Sequence, residues 1–332
     1  MSTRLNAEAS FDFGPAKKRS PVPELVALAL LALVLLPSGL RGLLESPGIR
    51  NWVTVFVAIV VQAIPFLVLG TLLSGAIAAL VPPGWLAQHL PKNTAMAVPV
   101  AGIAGVGLPG CECGSVPVAG RLMASGAPPA AATAFLLSAP AINPVVLVAT
   151  AVAFQGQPRY VLARFSASLA TAVVVGLIWS KVGKAAYHER ALKRVVQGDS
   201  RWGTFASTSQ HDFLHAGGFL VLGAMTAATL HTMVPKSVLD GLAGAGFISI
   251  LIIALLAFVL AICSEADAFV AASLTQFSPT ARLVFMVVGP AVDVKLVALQ
   301  TGTFGRSFAL RFAPITFVVA IAAGVIAGSL LL

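Results

Sequence analysis

Charge is what this sequence has least of. Its 332 residues include 21 Lys and Arg but only 12 Asp and Glu, so charged side chains make up 10% of the chain. A soluble domain carries about a quarter charged residues and spreads them over its surface; that class is excluded. Cysteine is nearly absent as well. Three cysteines do not make a disulfide framework, and Cys111 and Cys113 are too close in sequence to staple distant segments. With five histidines and no His-Glu-x-x-His, Ser/His arrangement or Cys-x-x-Cys pair, the chain lacks the usual equipment of a metallohydrolase or a dithiol oxidoreductase. His211 and His215 stand at i and i+4, but no Glu follows His211, and they read as interfacial, hydrated residues. No Gly-x-x-x-x-Gly-Lys-Ser/Thr loop occurs, so any use of ATP requires a second chain.

What is present is apolar: 58% of residues, with a mean hydropathy of +0.94. Apolar segments run at about 23–44, 53–81, 94–110, 128–153, 159–180, 213–234, 244–262, 282–300 and 308–331. Several exceed the roughly 20 residues a helix needs to cross a bilayer. A helix satisfies its own backbone hydrogen bonds, whereas a barrel would need short alternating strands, so an all-α polytopic membrane protein is expected. The basic residues sit at the ends of apolar runs. The net charge of +9 therefore reads as a topology signal and not as a nucleic-acid surface. Lys17, Lys18 and Arg19 precede the first run, which lacks a clear cleavage site and reads as a retained helix. The polar connection at 181–212, with Lys181, Lys184, Arg190, Lys193, Arg194 and Arg201, is expected in the cytoplasm beside anionic lipid, as is the N-terminus. Arg164 and Arg311 read as snorkelling anchors near helix ends, and Trp85, Trp179 and Trp202 as anchors at headgroup level.

That connection separates two halves that resemble each other. FLLSAPAINPVVLVA from Phe135 aligns with FMVVGPAVDVKLVAL from Phe285, setting Pro140 over Pro290 and Asn143 over Asp293. Upstream, Cys111 pairs with Cys263; downstream, Arg164 pairs with Arg311. The expected organisation is a tail and extra helix at 1–50, one repeat at 51–180, the basic loop at 181–212 and a second repeat at 213–332. If the polar-interrupted segment of each repeat is re-entrant, each repeat crosses three times, the copies are inverted, and the chain has seven membrane segments. If the segments at 94–110 and 244–262 cross fully, the number rises to nine. Inverted repeats with broken helices mark secondary transporters, whose substrate sits near mid-bilayer at the repeat interface.

Each repeat has a polar signature at its break: GLPGCECGSVPVAG from Gly107, and ICSEADAF from Ile262. The two breaks are expected to face each other. Gly107, Pro109, Gly110, Gly114 and Pro117 let the backbone leave the helix; Pro140, Asn143 and Pro144, with Pro290 and Asp293, do the same in the next one. Ionisable residues inside apolar segments are costly and line cavities, pair, or carry ions. Glu112, Glu265, Asp267 and Asp293 meet that description, with Lys295 as partner, most simply of Glu265 and Asp293. The candidate substrate- or ion-binding residues are thus Cys111, Glu112, Cys113, Ser115, Pro140, Asn143, Pro144, Cys263, Glu265, Asp267, Asp293 and Lys295. Thiols with carboxylates suit a soft ion, a metalloid or protons. Cys-x-Cys is narrower than structural zinc spacing, so a thiophilic substrate is expected and not a resident metal. The bland alternatives are cysteines that only pack and an ion pair that only fixes structure.

The stretches PGCECGSVPVAGRLMASGAPPAAATAFLLSAPAINPVV, LAICSEADAFVAAS and FSPTARLVFMVVGPAVDVKL resemble the bacterial predicted-permease family of ArsP/YraQ type, over about residues 50–332. The resemblance implies a multi-pass permease of the cytoplasmic membrane without its own ATPase, an enzyme activity or a cofactor. Its best-understood relatives export trivalent organoarsenicals, while the Cys-Glu-Cys form looks like the YraQ-like branch. The expected function is a secondary transporter, in the efflux direction, for a small metalloid or thiophilic solute. The alternatives are a membrane-embedded thiol redox enzyme and a non-transporting subunit of a larger complex. Expected partners are a small-molecule or ion substrate, membrane lipid, and further copies of the chain in a homo-oligomer, with no nucleic acid.

Overall fold

The computed structural model describes residues 47–82, 88, 90–91, 93–108, 110–183, 200–233 and 246–332. The first apolar segment, the N-terminal basic residues, Trp85, Pro109 and most of the basic connection lie outside the described residues. Among the described residues all regular structure is helical. Six stretches are long and apolar enough to cross a bilayer: Pro47–Leu80, Pro129–Ala153, Pro158–Val182, Arg201–Leu230, Pro279–Phe304 and Arg306–Leu331. The chain is an all-α, multi-pass membrane protein.

Among the described residues, twelve α-helices fall into two runs of six. The first comprises α1 (Pro47–Leu80), α2 (Thr94–Ala104, running into a 3-10 turn at Gly105–Gly107), α3 (Glu112–Ala124), α4 (Pro129–Ile142), α5 (Pro144–Ala153) and α6 (Pro158–Val182). The second comprises α7 (Arg201–Met233), α8 (Phe247–Leu260), α9 (Asp267–Ser273), α10 (Pro279–Ala291), α11 (Val294–Phe304) and α12 (Arg306–Leu331). Each run is a long helix, a short apolar helix, a short helix after the break, an interrupted helix in two pieces, and a closing long helix. The packing recurs with the order. The leading helices α1 and α7 lie together, as do the closing helices α6 and α12 and the interrupted helices α4 and α10. Helix α3 meets α11 of the other half, just as α9 meets α5.

Local chemistry sets these boundaries. Proline opens α4, α5, α6 and α10, where its missing N–H costs nothing. Asn93, Asn143, Ser278 and Asp293 cap their helices through side-chain oxygens. The 14 residues of α8 span about 21 Å, short of the roughly 30 Å of hydrocarbon. Neither α2 nor α8 is long enough to cross as a helix by itself. Outward positions such as Val61, Val148 and Val318 stay exposed and apolar, as a lipid-facing surface requires.

Two residues expected to break a helix lie differently. Gly114 is inside α3 and meets Gly70 of α1 backbone to backbone; a Cβ on Gly114 would sit 2.8 Å from the Phe66 carbonyl oxygen. Pro117 likewise lies within α3. The described residues of the break lie upstream, at Leu108, Gly110 and Cys111. Small residues admit such close approach, the main source of helix association where lipid removes the hydrophobic drive. Replacing Gly70 by Ala, whose Cβ would strike the Gly114 backbone, is expected to cost about 1–3 kcal/mol and to lower the melting temperature of the detergent-purified protein. Gly107→Ala, with open space around it, serves as the control and should leave melting unchanged.

Candidate functional site

In the first half the chain leaves the 3-10 turn at Leu108 and re-enters helix at Cys111, the extended N-cap of α3, so Cys111, Glu112 and Cys113 sit at a helix start. In the second half α8 ends on Ala261, which is left-handed at φ 48° and is the one non-glycine residue with positive φ among the described residues. Residues 262–266 then lead to Asp267, the first residue of α9. The two breaks meet. One ligand atom from each of Cys111, Glu112 and Cys113 lies within 4.8 Å of the others. Lys295, one residue into α11, forms an ion pair with Glu112 and donates to Ala261 O at 3.3 Å and Cys263 Sγ at 3.6 Å, with Asp293 Oδ2 3.9 Å away. Cys111, Glu112, Cys113, Asp293 and Lys295 are all 0% exposed.

The capping residues hold this junction in place. Asn143 donates to Gly110 O at 3.0 Å and Ala139 O at 2.9 Å, while its Oδ1 accepts from Val146 N. It thereby ties the first break to the gap between α4 and α5. Asp293, its repeat equivalent, accepts from Leu296 N between α10 and α11. Pro140 and Pro290 lie inside the helices ahead of these gaps, and Pro144 opens α5. Ser115 is buried but donates to the Glu112 carbonyl at 3.1 Å, so its hydroxyl serves the helix. Glu265 is half-buried; its Oε2 faces the Ser264 hydroxyl at 3.5 Å, and its Oε1 has no hydrogen-bond partner among the described residues.

Several residues stand elsewhere than sequence reading suggests. Glu112, and not Glu265, is the close partner of Lys295, because α11 begins beside the first break. Arg164 is no snorkelling anchor. It is 0% exposed and donates to Asp267 Oδ2 at 2.7 Å, Ser264 O at 3.1 Å and Thr150 Oγ1 at 2.9 Å. Only its repeat equivalent Arg311 is exposed. Trp179 is buried edge-on between Phe308 and Phe312 where α6 meets α12, whereas Trp202 is exposed as an anchor would be. Asp212 belongs to α7 and not to a loop; it accepts from Ser74 Oγ at 2.6 Å and pairs with Arg121 at 3.6 Å. Arg164, Thr150, Ser264, Arg121 and Asp212 are therefore the missed polar residues. One signal was available for Arg164: four acids inside apolar segments set against a single lysine call for a second base.

Three ion pairs among the described residues join one half to the other: Glu112 to Lys295, Asp267 to Arg164, and Asp212 to Arg121. Removing one member of a buried pair strands its partner's charge, which costs about 3–5 kcal/mol, while replacing both with neutral residues of similar volume is far cheaper. Lys295→Met is accordingly expected to lower thermal stability strongly, and Glu112→Gln/Lys295→Met to recover most of the loss. Melting curves of the two single variants and the double variant, read as a double-mutant cycle, check this.

The model for a family described as predicted permease matches residues 49–329. The protein UPF0718 YcgR of Bacillus subtilis is 37% identical over 288 residues, covering 84% of this chain and 95% of that relative. A second relative, from Streptococcus mutans and provisionally named a two-component membrane permease complex subunit, is 31% identical over 276 residues, covering 80% of this chain and 91% of its own length. No solved structure matches. By the extent of these matches, and with the two signature breaks meeting in one buried site, the chain belongs to the predicted-permease family.

Proposed function

We propose that this permease is a secondary transporter of the cytoplasmic membrane that exports a small thiophilic solute, metalloids included, through the junction of its two breaks. The observation that carries the reading is the buried meeting of Cys111, Glu112 and Cys113 with Cys263 and Lys295, contributed by both halves. Three long apolar stretches in each half reverse the membrane orientation of the second copy if α2 with α3, and α8 with α9, enter and leave by the same face. The site then lies between inverted repeats, the arrangement in which one half rocks against the other. A buried ion pair across that seam holds it shut, and a solute that binds among the thiols beside the pair shifts how the halves meet. Chemistry on the solute is no part of this reading; the protein supplies binding and passage.

A second reading follows from the name of the streptococcal relative: the chain works as the membrane subunit of a two-component permease. A partner chain that copurifies and is required for transport would favour it.

The test is uptake into liposomes holding the purified protein, with a panel of trivalent arsenicals, soft metal ions, sulfur oxyanions and thiols. Accumulation is expected for wild type and not for folded Glu112→Gln/Lys295→Met. Conversion of a compound without accumulation would instead make the protein an enzyme. No accumulation until a second protein is added would make it a subunit.

A further inference from the structure

The same junction narrows the class of solute, provided that it is the transport site. One ligand atom from each of Cys111, Glu112 and Cys113 lies within 4.8 Å of the others, all three residues buried. The Cys263 thiol stands at the edge of this cluster, 3.6 Å from Lys295 Nζ, which pairs with Glu112. Glu112 supplies the independent sign of a ligand: its carboxylate is wholly buried, one oxygen faces Lys295, and Oε2 has no hydrogen-bond partner among the described residues. A buried carboxylate oxygen left over beside three thiols is a donor set awaiting an acceptor. Tetrahedral sites with sulfur at about 2.3 Å and oxygen at about 2.0–2.2 Å from the metal bring donors to roughly 3.5 Å of one another.

Charge decides the kind of acceptor. Among the described residues around the junction stand four carboxylates, Glu112, Glu265, Asp267 and Asp293, against the two bases Lys295 and Arg164. Two thiols that give up their protons on binding carry negative charge, which a cation offsets and an anion would add to. We infer that the solute is a soft or borderline divalent metal cation, held by the Cys111 and Cys113 sulfurs and Glu112 Oε2, with Cys263 as the fourth donor.

The balance is simple. The cation enters, the Cys111 and Cys113 thiols give up their two protons, and two metal–sulfur bonds replace two S–H bonds. Glu112 stays a carboxylate and Lys295 stays its counter-ion. The buried charge of the site is the same before and after, which a low-dielectric interior demands. A monovalent cation would balance by displacing one thiol proton, so the number of protons released distinguishes the two charges. Ligands of this softness select such ions over magnesium or calcium.

The experiment uses the full-length protein in detergent with Cd2+ as the probe. Wild type should develop thiolate-to-cadmium charge-transfer absorption saturating at one Cd2+ per chain, with two protons released to a pH dye. Cys111→Ser/Cys113→Ser should lose the band. Glu112→Gln should weaken binding by about tenfold or more, and Mg2+ should not compete. Cys113→Ser alone, checked by melting in the absence of metal, guards against a double variant that fails to fold. No band in folded wild type, or binding untouched by Glu112→Gln, would overturn the inference. So would a trivalent arsenical such as phenylarsine oxide protecting the thiols from alkylation where Cd2+ does not. Vesicle uptake of radioactive cadmium separates the two readings: binding without uptake sinks the transporter and keeps the metal site, while uptake of another solute without cadmium binding does the reverse.

Discussion

Everything in this molecule is arranged around the cost of placing a glutamate and a lysine where there is no water. Glu112 and Lys295 are both fully buried, and each is tolerable only because the other is there. Their meeting requires a helix that starts in the middle of the protein in the first half and a second one starting beside it in the other. Helix starts in mid-structure require breaks, and breaks expose backbone groups that must be satisfied. Asn143 takes the Gly110 carbonyl and Lys295 takes the Ala261 carbonyl. Polar side chains thus repair the backbone and, by being there, create the site.

The other two ion pairs extend this logic to the edges of the seam. Arg164 reaches from α6 to the second break, and Arg121 from α3 to α7. In lipid there is little hydrophobic gain in bringing two helical halves together, so buried charge and close approaches such as that of Gly75 in α1 to Phe205 and Ser209 of α7 carry the association. Such contacts are geometrically demanding, and they favour discrete arrangements over gradual sliding.

Much of the fold is legible in the amino-acid sequence. Helix positions follow from apolar runs, and the repeated Pro140 and Pro290 with Asn143 and Asp293 locate the interruptions, because a proline and a short polar cap act locally. The candidate cluster is legible for the same reason: polar residues inside apolar segments are rare enough to be noticed. Partner choice is not. Lys295 is two residues from Asp293 and far along the chain from Glu112, yet the distant acid is the one it meets. Arg164 shares the look of its exposed repeat equivalent Arg311, and only the packing of α6 against the second break makes it internal. Gly114 reads as a breaker because glycine near a break suggests one, whereas its lack of a side chain serves the contact with Gly70.

The alignment of the halves carries a further consequence when set against the ion pair. With Cys111 over Cys263, Glu112 falls on Ser264; with Asn143 over Asp293, Lys295 falls on Val145. The acid and the base of the central pair are therefore not repeated, and each exists in one copy only. Two first halves together would bring Glu112 twice without Lys295, and two second halves would bring Lys295 twice without Glu112. At this pair the halves are complementary and not interchangeable. A chain that carries both delivers every Glu112 together with its Lys295.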